Sequence, residues 1–167
     1  DKSSLSRSTL ITLVWLAGMM VLLIRLSWQV RRATVLRKHS ELVPDHIQQQ
    51  CQSLADRLRL KVTPRVRYSI EIESPCTAGV FRPVIYLPRL WFETLSAEEQ
   101  TAILMHELAH VAGRDVFWNL VTHLTLAVYW FDPLVWRLPH RHRLACEHLS
   151  DAHAADAISS LSEYRRL

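Results

Sequence analysis

The 167-residue chain has only three glycines and three cysteines, and it contains no internal repeat and no low-complexity segment. With glycine so sparse there is no Gly-rich loop to cradle a phosphate, which excludes the common nucleotide-binding motifs. The cysteines, Cys51, Cys76 and Cys146, form no CxxC pair and leave one unmatched, so they read as reduced thiols facing a cytoplasm. Acidic residues are outnumbered by basic ones, giving a net charge of +4, yet no polybasic tail and no aromatic-basic interleaving appears. Nucleic acid is therefore not an expected partner. What the chain holds in quantity is apolar residues, 49% of the total, at the upper end for a soluble protein. Its length leaves room for one core of ordinary size.

Against that background His106-Glu107-Leu108-Ala109-His110 stands out as an HExxH sequence. Two histidines four apart on a helix project from one face, one turn apart, where both imidazoles can bind one Zn²⁺. The glutamate between them is then placed to take a proton from water at the metal's open position. The flanks support a helix: Ser96-Ala97-Glu98-Glu99 is a capping box, Ile103, Leu104, Leu108, Val111 and Ala112 fall on apolar helix positions, and Gly113 suits the C-cap. The plainer alternative is a helix whose two histidines only pair with carboxylates.

A catalytic zinc needs a third protein ligand. The metzincin pattern HExxHxxGxxH finds Gly113 in place, but Val116 stands where the third histidine belongs, and valine cannot bind metal. The gluzincin pattern takes instead a glutamate from a later helix, followed four residues on by an aspartate. Glu147 and Asp151 supply that pair, and the spacing puts both carboxylates on one helical face. In this reading His106, His110 and Glu147 hold zinc and Glu107 is the general base. Asp151 accepts the Nδ1–H of a ligating imidazole, His106 by preference, and fixes its tautomer. The alternative is a solvated acidic face paired with Arg143 and His148. His140, His142, His148 and His153 sit in no recognisable ligand spacing; His142 and Arg143, close in sequence to Glu147, are candidate stabilisers of an oxyanion.

The runs Gly79-Val80-Phe81-Arg82-Pro83-Val84-Ile85-Tyr86-Leu87-Pro88, Leu95-Ser96-Ala97-Glu98-Glu99, His106 to His110 with Arg114-Asp115, Trp130-Phe131-Asp132-Pro133-Leu134-Val135-Trp136 and Ala145-Cys146-Glu147 together resemble the BlaR/MecR-type membrane metallopeptidases. The resemblance covers residues 77–155. It implies a bacterial integral-membrane gluzincin, and the best known members convert a β-lactam signal into proteolysis of a cytoplasmic transcriptional repressor. A peptide or protein substrate is thus implied, a repressor among the candidates. Two departures stand out: many relatives carry Cys where Ser150 precedes Asp151, and no Ser here is followed three residues later by Lys, so this chain holds no penicillin-binding motif.

Leu10 to Val30 is apolar enough to span a bilayer, with Arg25 near its end able to snorkel to the headgroups. Arg31, Arg32, Arg37 and Lys38 come after it, against only Lys2 and Arg7 before, so the positive-inside rule places the rest of the chain in the cytoplasm, beneath a bacterial inner membrane. The rival, a signal peptide, lacks a small-x-small cleavage site. Residues 1–38 are accordingly expected to form a transmembrane helix with its basic flank, and residues 39–167 a cytoplasmic zinc metallopeptidase domain. Its expected class is α+β, a zincin-like (gluzincin) fold of a small sheet and mostly helices. Within it, 41–60 has helical spacing (Ile47, Cys51, Leu54, Leu58) with Pro44 in the first turn, and 65–73 alternates as a strand with Val66, Tyr68, Ile70 and Ile72 inward. Residues 75–79 break that strand and 83–87 form a second. Val116 to Phe131 is either a core helix or, as the resemblance favours, membrane-embedded, and the ambiguity extends over 116–138. Asp132-Pro133 reads as N-cap and N1 of the helix carrying Glu147. The chain begins at Asp1 rather than Met and stops at Leu167 within a helical pattern, which reads as a piece of a longer protein.

Three functions fit these residues. One is a zinc endopeptidase at a membrane. The second is a signalling module whose metal site is structural or vestigial, against which the intact Glu107 speaks. The third is a secreted zinc hydrolase, against which the charge flanks speak.

Overall fold

A computed structural model describes residues 6–164; Lys2 of the charge comparison and the terminal Leu167 lie outside them. The order of elements is α1 (Arg7–Lys38), β1 (Glu41–Leu42), α2 (Asp45–Arg57), β2 (Arg65–Ser69), β3 (Cys76–Ala78), β4 (Val84–Pro88), α3 (Arg89–Phe92), α4 (Ala97–Gly113), α5 (Asp115–Val128), a 3₁₀ turn at Val135–Arg137, and α6 (Leu138–Tyr164). The architecture is mostly helical with one small mixed sheet.

The sheet runs β1-β2-β4-β3. β2 and β4 are parallel, with Val66 beside Ile85, while β1 and β3 flank them antiparallel. Residues alternate across β4. Ile85 and Leu87 join Val66 and Tyr68 in a core closed by Ile47, Cys51 and Leu54 of α2, Phe92, and Leu104 and Leu108 of α4. Val84 and Tyr86 point the other way, toward a cavity shared with Ala33, Thr34 and Arg37 of α1. Burial pushes the Cys51 thiol up to about 12, so it stays protonated and packs as a small apolar group. All three cysteines are free thiols.

Several expected boundaries move. β2 stops at Ser69, where the Ser69 hydroxyl takes up the Glu71 N–H, and Ile70 is 80% exposed instead of facing the core. The 75–79 segment, expected only as a break, contains β3, held by its ladder to β4. Glu41 and Leu42 form β1, so α2 begins at Asp45, with Pro44 as its cap. Asp132 caps a turn rather than α6: its carboxylate accepts the Leu134 N–H, and α6 begins only at Leu138, after the 3₁₀ turn.

α1 is 32 residues long, about 48 Å at helical rise, and apolar enough to cross a membrane. α5 has only 14 residues, too short to span by itself. It buries Thr122, Leu126 and Ala127 and exposes Phe117, Trp118, Leu124 and Val128. The end of α5 docks on α1 through indoles. Trp15 donates to the Val128 carbonyl, Trp130 donates to the Trp15 carbonyl, and Trp136 donates to the Trp130 carbonyl. Gly18 makes room, since a Cβ there would run into the Trp130 ring.

Candidate metal centre

α4 and α6 make the most extensive contact between elements, and the site lies in that contact. The capping box starts α4 as expected: Ser96 accepts the Glu99 N–H and the Glu99 carboxylate accepts the Ser96 N–H. Leu104, Leu108 and Ala109 anchor the helix in the core, which turns His106 and His110 toward α6 and leaves Glu107 4% exposed on the inner side.

His106 Nε2 and His110 Nε2 lie 3.2 Å apart, and Glu147 Oε2 lies 3.7 Å from His106 Nε2. The donors of His106, His110 and Glu147 all fall within 4.8 Å of one another. Each imidazole is held through its other nitrogen. His106 Nδ1 is 3.1 Å from Asp151 Oδ1, and His110 Nδ1 is 2.7 Å from Asp115 Oδ2 and 3.1 Å from the Ser150 hydroxyl. Carboxylates only accept, so a neutral imidazole that donates from Nδ1 to its aspartate has its Nε2 lone pair free for a metal. In that tautomer the two Nε2 atoms converge where one cation could sit between them. The edge of a tetrahedron with arms of about 2.1 Å is about 3.4 Å, which the 3.2 and 3.7 Å separations bracket. The residues present fit zinc.

Asp115 has no role in the sequence reading, although it closes the Arg114-Asp115 motif. The chain reverses between α4 and α5 at Arg114, which takes the left-handed conformation (φ 54°) expected of Gly113. Gly113 lies inside the last turn for a different reason: a Cβ there would come 2.5 Å from Asp115 Oδ1. The glycine lets the aspartate fold back onto His110. Thr77 of β3 was likewise missed. Its hydroxyl donates to Glu107 Oε2 at 2.8 Å. Burial raises the Glu107 carboxyl above its ordinary range, with the Thr77 bond and then the two imidazoles pulling it back down.

A cavity of about 670 Å³ opens over these residues, bordered by Thr77 and Trp91 on one side and His142, Arg143 and Cys146 on the other. His142 and Arg143 thus reach the cavity, the former with its ring 3.6 Å from Cys146 Sγ. Cys76 and Cys146 are both pushed up to about 11, foremost by burial. Glu147 and Asp151 face His106 and do not pair with Arg143 or His148. His153 turns back on its own helix, to the Leu149 carbonyl, and His140 borders a separate cavity.

The sequence pattern of the BlaR1 peptidase M56 family matches residues 2–166. The chain belongs to that family. Among curated relatives of this M56 chain, the regulatory protein BlaR1 of Bacillus licheniformis is 32% identical over 126 residues, covering 75% of this chain and 21% of its own length. The methicillin resistance mecR1 protein of Staphylococcus aureus is 28% identical over 130 residues, 76% of this chain and 22% of the relative. The chain spans about a fifth of the length of the curated relatives it matches.

Proposed function

We propose that this chain is the catalytic part of a membrane-anchored zinc endopeptidase that acts in bacterial signal transduction. The reading takes residues 1–38 as transmembrane helix and flank and 39–167 as a zincin-like, gluzincin-type domain on the cytoplasmic side. The observation that carries it is the convergence of the two Nε2 atoms and the Glu147 carboxylate, with an aspartate beside the other nitrogen of each imidazole. The relatives' names, a regulatory protein and a methicillin resistance protein, support the signalling role.

His106, His110 and Glu147 would hold the metal. When bound, zinc supplies a Lewis acid that polarises a carbonyl and lowers the pKa of water toward about 7. Glu107 takes the proton of the attacking water and delivers it to the leaving amine. Its raised pKa makes the carboxylate a stronger base toward that water, since a carboxylate of lower pKa would take the proton poorly. Thr77 holds one carboxylate oxygen and so orients the other. β3 is an edge strand beside α4, and an extended peptide can add to its open side, carrying a carbonyl across the cavity. His142 and Arg143, at the cavity wall, could receive the developing oxyanion. Substrates to test are a transcriptional repressor and the chain itself.

Glu107→Gln tests the chemistry. The full chain in detergent should keep one zinc and lose hydrolysis of a quenched fluorescent peptide library by about 10²–10⁴-fold, the usual contribution of a general base. Turnover at the unsubstituted rate would assign the base elsewhere or remove the protease reading.

A further inference from the structure

Arg25 stands inside the apolar run of α1, about 7.5 Å of helical rise before its end at Val30. It borders a cavity of about 450 Å³ between α1, α5 and the start of α6, together with Gln29, Asn119, His140 and Arg143. Leu22 and Leu26 form its apolar wall on α1. No acidic side chain lines this cavity, and among the described residues neither Arg25 nor Arg143 has an ion-pair or hydrogen-bond partner. Charged side chains within spans face an interior or a cavity and find a partner there. Here two arginines border one cavity whose lining supplies no counter-charge.

The missing partner can be specified. Guanidinium forks match the oxygens of a phosphate, and the side-chain amides of Gln29 and Asn119 add neutral donors. Arg25 stands toward the basic-flank end of the span, from which its side chain can reach the headgroups, and Leu22 and Leu26 continue the wall away from that flank. We propose that this cavity binds the phosphate of an anionic phospholipid, with Leu22 and Leu26 against the start of its acyl chains. Arg143 lines both this cavity and that of the metal centre, so the bound lipid fixes a side chain at the rim of the candidate active site. The inference rests on α1 crossing the membrane and is independent of zinc chemistry.

Native mass spectrometry of the full chain in detergent micelles tests it, with phosphatidylglycerol, phosphatidylcholine or inorganic phosphate as the added probe. Carbonate washing of membranes is done first: a chain that washes off contradicts the membrane placement, whereas one that stays and binds no lipid contradicts only this proposal. A single phosphatidylglycerol should remain bound, in preference to phosphatidylcholine. Arg25→Gln should weaken it about ten-fold, the worth of one charge-assisted hydrogen bond, and Arg25→Lys less. Arg32→Gln, in the flank but outside the cavity, should leave it unchanged. Unaltered binding in Arg25→Gln, or an equal loss in Arg32→Gln, would reduce the effect to general attraction by the flank and overturn the site. Displacement by inorganic phosphate at equal concentration would overturn the lipid as its occupant.

Discussion

Each histidine of the motif has its own aspartate, and only one of the two could be read from the sequence. Asp151 sits four residues after Glu147 on one helix, so spacing alone places it with its neighbour. Asp115 reaches His110 only because the chain turns back at Arg114 and because Gly113 has no side chain in the way. No helical period announces that. Thr77 is further removed still, since it meets Glu107 across a strand-to-helix contact that only the fold creates. Losing a group that orients a metal ligand typically costs about 10–100-fold in affinity or activity. Asp115→Ala and Asp151→Ala should each weaken zinc retention against a chelator by that order, with unchanged helical circular dichroism. Gly113→Ala should do the same without removing any polar group, because its methyl displaces Asp115. Full zinc retention in Gly113→Ala would show that the Asp115 contact is dispensable.

Among the elements, the long periodic ones were legible and the short ones were not. The spacing of α2, the capping box of α4 and the apolar run of α1 are local properties, and each lies where its residues put it. β1 and β3 have two and three residues and exist through their ladders to β2 and β4, so propensity gives no hint of them. The start of α6 shifts from Asp132 to Leu138 because the intervening residues form a corner tied by indole hydrogen bonds. That corner is also what fastens α1 to the rest. Gly18→Val would drive a side chain into the Trp130 ring, and overpacking of this kind costs about 1–3 kcal/mol. Thermal unfolding in detergent should shift downward, with tryptophan fluorescence moving to the red. An unshifted midpoint would mean that α1 does not dock on Trp130 in solution.

At the scale of the whole molecule, the candidate metal centre lies where the helices leave the sheet domain and run alongside α1. α5 sets out from the site at Asp115 and ends against Trp15, and α6 returns from that corner to Glu147. In the proposed topology the path from membrane to metal is therefore short and consists of packed helices. Orientation is set by charge: the basic flank Arg31 to Lys38 should remain on the cytoplasmic face. A reporter fused after Lys38 in bacteria should be active only in its cytoplasmic form; a periplasmic signal there would revive the secreted hydrolase.

Two imidazoles and one carboxylate, and no thiolate, are proposed to hold a zinc ion between α4 and α6, and every catalytic role proposed above depends on that donor set. X-ray absorption at the zinc edge of the purified full chain reads the donors directly, and Cys76 and Cys146 on the same cavity make the question a real one. One zinc per chain is predicted, with imidazole scattering and a first shell at about 2.0–2.2 Å, lost in His110→Ala. A sulfur shell at about 2.3 Å, or a chain that binds no zinc, would contradict it.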